Sequence, residues 1–216
     1  MKQNLTEIVA ILDRSGSMTD LIEDTIGGFN TFVEKQKEED GEANLTLVLF
    51  DDKYDVLYED KDIQKSEKLT NKDYYARGMT ALLDAVGKTI NSVGGRLSSL
   101  DEKDRPKKVI FLITTDGFEN ASKEFTSDVI KEMVKLQEEK YSWEFIFTGA
   151  NIDSFASGAA MGYAAVNTAN FVATSDGINT LYSALSSRVS DTRKGVGGQS
   201  MVDYMKDAED EVEDNA

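Results

Sequence analysis

The chain has 216 residues, 40% hydrophobic and 30% charged, which suits one medium-sized folded domain with a substantial core. Its formal charge of -16 argues against general nucleic-acid binding and against docking on an anionic membrane, since both need a basic surface. Neither Cys nor His occurs, which removes disulfides, thiol chemistry, Ser-His-Asp triads, His-bound zinc and imidazole acid–base catalysis.

The polar amino terminus leads into only five apolar residues, Ile8 to Leu12, too few for a signal-peptide core. No apolar run approaches the ~18 residues of a membrane span. A soluble, cytoplasmic protein is the expectation.

Ile8 to Leu12 reads as a strand buried on both faces. It stops at Asp13, and a loop with Ser15, Gly16 and Ser17 follows. In open α/β sheets, ligands bind at the carboxyl ends of such strands. These side chains offer only oxygen donors, which Mg²⁺, Mn²⁺ and Ca²⁺ prefer. Ile22, Ile26, Phe29 and Val33 then recur at helical spacing, giving a helix over 19–38 that ends at Asp40-Gly41. Leu45 to Phe50 is a second strand, and Tyr54 to Tyr58 returns as an antiparallel edge strand with charged flanks.

Residues 60–77 read as polar and irregular. Gly78-Met79-Thr80 precedes a helix striped by Leu83, Val86, Ile90, Val93 and Leu97. After the only proline, Pro106, the strand Val109 to Thr114 runs into Thr115-Asp116-Gly117. A helix marked by Val129, Met133 and Leu136 follows, then a strand from Trp143 to Thr148 and a short small-residue helix from Ser154 to Gly162. A weak sixth strand is expected at Ala164 to Asn167, and Ile178, Leu181, Leu185 and Val189 mark the last helix of the domain.

The fold class is α/β: a doubly wound, mostly parallel, Rossmann-like sheet of about six strands, with one antiparallel edge strand and helices on both faces. The domain is expected over 1–194. Gly195, Gly197 and Gly198 open a tail, 195–216, in which six of the eight residues from Asp207 to Asp214 are acidic. Such a tail is expected to be flexible.

Asp13-Arg14-Ser15-Gly16-Ser17, Gly78-Met79-Thr80 and Thr115-Asp116-Gly117 occur in that order, each at or beside the end of a central strand. Together they resemble the metal-ion-dependent adhesion site (MIDAS) of von Willebrand factor A (VWA) domains, and the resemblance covers roughly residues 5 to 192. It implies a non-catalytic protein-binding module holding one divalent cation, Mg²⁺ before Mn²⁺ or Ca²⁺. Ser15, Ser17 and Thr80 would be hydroxyl ligands, with Asp13 and Asp116 close by and holding metal-bound waters. The implied partner is a protein with an exposed Asp or Glu. The acidic tail is expected to be a solubilising segment; the alternative is that it supplies carboxylates to the metal site of a neighbouring copy, giving weak metal-dependent self-association.

Taken singly, each residue has a plainer role. Asp13 can cap its loop, Ser15 and Ser17 can be turn residues, Thr80 can be an N-cap, and Asp116-Gly117 is a common turn dipeptide. Asp84 suits helix-dipole compensation or hydrogen bonding, Glu119 and Asn120 suit loop shaping, and Arg14 is expected to be solvated.

Two other function classes compete. A haloacid-dehalogenase-like, Mg²⁺-dependent phosphatase needs D-x-D after its first strand, and the second position here is Ser15. A structural or assembly protein would keep the metal for stability alone. Neither G-x-G-x-x-G nor G-x-x-x-x-G-K-[ST] follows the first strand, so nucleotide-binding signatures are missing.

Overall fold

A computed structural model describes residues 1–214, with side chains through residue 211. Six strands form one sheet in the order β3-β2-β1-β4-β5-β6. They are β1 (Lys2–Asp13), β2 (Glu42–Phe50), β3 (Tyr54–Asp62), β4 (Pro106–Thr115), β5 (Glu144–Gly149) and β6 (Thr168–Asn170). All neighbours are parallel except β2 and β3, whose hairpin makes β3 an antiparallel edge. The fold is therefore the expected mixed α/β sheet.

The period-2 pleat sends alternate residues of each central strand to opposite faces. Ile8, Ala10 and Leu12 join one apolar cluster with helices α1 (Ile22–Glu38) and α5 (Ser175–Lys194). Val9 and Ile11 join the other, with α2 (Leu82–Ser99) and α3 (Ser127–Tyr141). Since both faces are covered, the central strands read as unbroken apolar runs. A short helix, α4 (Ser154–Ala160), packs near β5 and β6.

Four expectations are corrected. The first helix does not begin at Thr19: a 3-10 segment, Gly16–Leu21, precedes α1 and buries Met18 and Leu21 beneath the loop. The stretch 60–77 is not merely a polar excursion, because Ile63, Leu69 and Tyr74 are all buried in the core. The sixth strand lies at Thr168–Asn170, and residues 165–167 form a 3-10 turn instead.

The fourth correction concerns the tail. Gly195 ends α5 in the left-handed conformation, φ 78°, and after a short connection the chain forms helix α6 (Met201–Asp214). Met201, Tyr204, Met205 and Ala208, at i, i+3, i+4 and i+7, bury one face of α6 in the core cluster that contains α5. Tyr204 Oη donates to Asp191 at 2.7 Å. The acidic residues 207, 209 and 210 occupy the exposed face apart from that stripe. The last two residues of the expected tail lie outside the described residues.

Candidate metal centre

β1, β2 and β4 end side by side, so the loops that follow them meet at the carboxyl edge of the sheet. Asp13 closes β1, and its side chain is 1% exposed. Its Oδ1 accepts from the Ser15 N–H at 2.7 Å, and its Oδ2 accepts from Thr115 Oγ1 at 2.5 Å. Ser15 Oγ and Ser17 Oγ lie 3.1 Å apart, and Ser17 Oγ donates to Asp116 Oδ1 at 2.5 Å. Four of the five candidate residues thus form one continuous hydrogen-bonded cluster.

Thr80 reaches the same place by a different route. A Cβ on Gly117 would lie 3.2 Å from Thr80 Oγ1 and 3.3 Å from Ser17 Oγ. The bare Gly117 backbone therefore lets the two hydroxyls approach one spot, which a side chain there would crowd. All five residues converge.

Burial sets the electrostatics. It raises the Asp13 carboxyl to about 6 against the hydrogen bonds from Thr115 and Ser15 that favour the ionised form. Asp116, 3% exposed, is also raised by burial, opposed by Ser17. Among the described residues neither carboxylate makes an ion pair with Lys or Arg. Two buried acids without a counter-charge, beneath three converging hydroxyls, form an oxygen-only set that fits a hard divalent cation. No three His, Cys, Asp or Glu residues cluster as a metal site among the described residues, so the fit rests on the hydroxyls.

The loops are tied to each other as well as to their strands. Gly16 N–H donates to the Gly78 carbonyl at 3.2 Å, and Arg77 N–H donates to the Arg14 carbonyl at 2.9 Å. Thr80 N–H donates to Asn120 Oδ1 at 2.9 Å, while the N–H groups of Asn120 and Ala121 donate back to the Thr80 carbonyl. Gly78 sits at φ 67°, and a Cβ there would fall 1.9 Å from Asp52 Oδ1.

Arg14 corrects the sequence reading. It is 3% exposed rather than solvated, with Nε on Asp51 at 2.9 Å and a second nitrogen on Asp55. Arg77 engages the same two carboxylates at 2.6 and 3.0 Å, and both guanidinium groups lie over the Tyr75 ring. Burial alone would raise Asp51, but Arg77, the Lys53 N–H and Arg14 hold it below the usual carboxylate range. This two-arginine, two-aspartate clamp fixes the 73–80 segment beside the first loop. Tyr74, fully buried, adds a hydrogen bond from its hydroxyl to the Asp13 carbonyl.

Asp84 takes the hydrogen-bonding role, and Glu119 the loop-shaping role, read from the sequence. Asp84 accepts from the N–H groups of Lys123, Glu124 and Phe125, at 2.9 to 3.0 Å. Burial pushes Asp84 up, yet these three donors outweigh it and leave the carboxyl below its ordinary value. Glu119 accepts from the Leu83 N–H at 2.9 Å in the first turn of α2.

No protein-family model matches the chain, and no curated protein matches it either. Solved structures do. Proximal thread matrix protein 1 of the mussel byssus, in a structure described as having a zinc-occupied MIDAS motif, aligns at 16% identity with a TM-score of 0.58. That alignment covers 86% of this chain and 46% of the other, so the chain spans under half the length of this neighbour. The manganese-loaded TRAP protein of Plasmodium vivax aligns at 16% identity and TM-score 0.57, covering 79% of this chain and 69% of that one. The ArnB paralog VWA2 of Sulfolobus acidocaldarius aligns at 17% and 0.53, covering 86% and 45%. At these identities the likeness concerns the fold, and the fold of this chain is that of a von Willebrand factor A domain.

Proposed function

We propose that this chain is a non-catalytic protein-binding module in which Ser15, Ser17 and Thr80 hold one divalent cation, Mg²⁺ by preference, that accepts an Asp or Glu from a partner. The observation that carries this reading is the pair of buried, uncompensated carboxylates, Asp13 and Asp116, beneath the converging hydroxyls. Neutral hydroxyls leave a bound cation under-neutralised, so it still attracts an anion from outside. Ser15 and Thr115 fix Asp13, which would hold metal-bound waters, and Asp116 accepts from Ser17. The zinc- and manganese-loaded fold neighbours support a cation at this place in the fold.

Calorimetry tests the assignment. Mg²⁺ binding is expected for the native chain and not for Asp13→Ala or for Ser15→Ala/Ser17→Ala; unchanged affinity in both variants would refute it. The phosphatase alternative is separated by assaying p-nitrophenyl phosphate with Mg²⁺. Turnover that disappears in Asp13→Ala would replace the binding reading with an enzymatic one.

A further inference from the structure

Large apolar side chains are exposed at several places among the described residues, Val129, Leu136 and Tyr141 of α3 included. The three most exposed large ones among the described residues are Val172 at 66%, Phe118 at 65% and Met79 at 56%. All three lie on segments at the carboxyl edge of the sheet, where the candidate centre is built. Met79 directly precedes Thr80, and Phe118 directly follows Gly117, where an added Cβ would meet both Ser17 and Thr80. Phe155, in the first turn of α4 after β5, and Val172, just after β6, are exposed as well.

Strand order gives these residues a direction. Phe118 follows β4, Phe155 follows β5 and Val172 follows β6, three neighbouring strands. At the usual interstrand spacing their strand ends span ~10 Å. On the opposite side of the centre lies the clamp in which Arg14 and Arg77 hold Asp51 of the β2–β3 turn and Asp55 of β3, with Tyr75 stacked under both guanidinium groups. Exposing several large apolar side chains around one site is unfavourable for an isolated chain and is characteristic of a protein-contact surface.

We infer that Met79 and Phe118, extended by Phe155 and Val172, form an apolar rim that selects a partner segment in which the acidic residue is flanked by large apolar side chains. The inference rests on the binding reading above and adds the partner's chemistry to it. A bare acidic surface would satisfy the centre and leave this rim in water. An acid with apolar neighbours satisfies both, with the carboxylate entering between Met79 and Phe118 and its apolar flank lying towards β6.

The test uses the full chain and a random-sequence peptide display library, panned in Mg²⁺ and eluted with chelator. Eluted peptides are expected to carry Asp or Glu with a large apolar residue within three positions. The best of them should bind Met79→Ser/Phe118→Ser at least tenfold more weakly, with calorimetric Mg²⁺ affinity unchanged. Val56→Ser/Val202→Ser removes two exposed apolar residues elsewhere and should have no effect. Chelator-eluted acidic peptides without apolar enrichment, or indifferent to the rim substitutions, overturn the rim and leave the metal reading standing. Apolar peptides that bind equally in chelator and need no acid overturn both. Rim-dependent self-association of the chain, measured by sedimentation, would assign the rim to a second copy and also overturn the inference.

Discussion

Asp84 and Glu119 are joined through Ser122, whose hydroxyl accepts from the Asp84 N–H at 3.0 Å and donates to Glu119 Oε2 at 2.7 Å. Each acid also secures the other's segment. Glu119, on the loop after β4, caps an N–H of α2, while Asp84, on α2, collects three N–H groups of that loop. The two pieces that carry Thr80 and Asp116 are thus fastened without either acid entering the centre. Asp84→Ala leaves three backbone donors without their acceptor and is expected to cost roughly 1–3 kcal/mol. A double-mutant cycle with Glu119→Ala in urea should show coupling of ~0.5 kcal/mol or more. Strict additivity would mean that the acids act separately.

The centre itself is expected to trade stability for binding. Asp13→Asn removes a buried charge that no cation of the chain offsets. In chelator, the variant should therefore unfold at the same temperature as the native protein or higher. In Mg²⁺ at about a hundred times the dissociation constant, the native chain should gain ~2.7 kcal/mol and the variant should gain nothing. Thermal melts with and without Mg²⁺ measure both effects. A variant that gains the same Mg²⁺ stabilisation would contradict the role given to Asp13.

Far from the centre, Glu7 makes stability depend on pH. Burial raises its carboxyl to about 7, against Arg96 at 2.8 Å and a hydrogen bond from Thr46 at 2.7 Å. Arg96 offsets the burial only in part because it also serves Asp60 at 3.0 Å. The folded state thus holds this proton more tightly than the unfolded chain. The resulting stabilisation is complete below about pH 4.5 and is lost as pH rises through about 7, ~3 kcal/mol in all. Glu7→Gln should flatten that part of the profile and be the more stable protein at pH 8. Identical urea midpoints against pH for the two proteins would exclude this.

α6 is expected to behave as part of the domain. Met205→Ser replaces a buried apolar side chain at the α5–α6 contact and should cost ~2–4 kcal/mol. Deleting 200–216 bares the apolar groups beneath Met201, Tyr204 and Ala208 and should lower the melting temperature by several degrees. A truncated chain that melts with the full one would show that α6 adds nothing to the fold.

The buried strands were legible because their signal is local, and the five residues proposed as the centre stand out for the same reason. An unbroken apolar run marks a strand covered on both faces, and D-x-S-x-S sits within five residues. Arg14 was misread because its partners lie 37 and 41 residues away, on a turn and a strand whose approach only the folded sheet creates. Tyr74 was hidden the same way, in a stretch whose polar composition concealed one inward-facing ring. β6 is three residues long, too short for any period to register. α6 did carry a signal: Ser200 and Asp203 form a reciprocal cap, with Asp203 Oδ2 accepting from Ser200 N–H at 3.0 Å and Ser200 Oγ accepting from Asp203 N–H at 3.2 Å. That S-x-x-D pattern before an i, i+3, i+4, i+7 stripe was outweighed by the acid count.

Thr80 is held through its own amide and carbonyl by Asn120 and Ala121, and the first loop is held by Gly78 and Arg77. No one stretch of sequence contains the cradle; it is assembled from positions more than a hundred residues apart. During synthesis β1 and its serines emerge early, but the segment that pins Thr80 does not exist until residue 121 has been made. A stalled or clipped chain ending before that point carries D-x-S-x-S and still lacks the converged oxygens. The convergence of these oxygens is thereby reserved for a chain that extends past residue 121 and has folded β4 against β1.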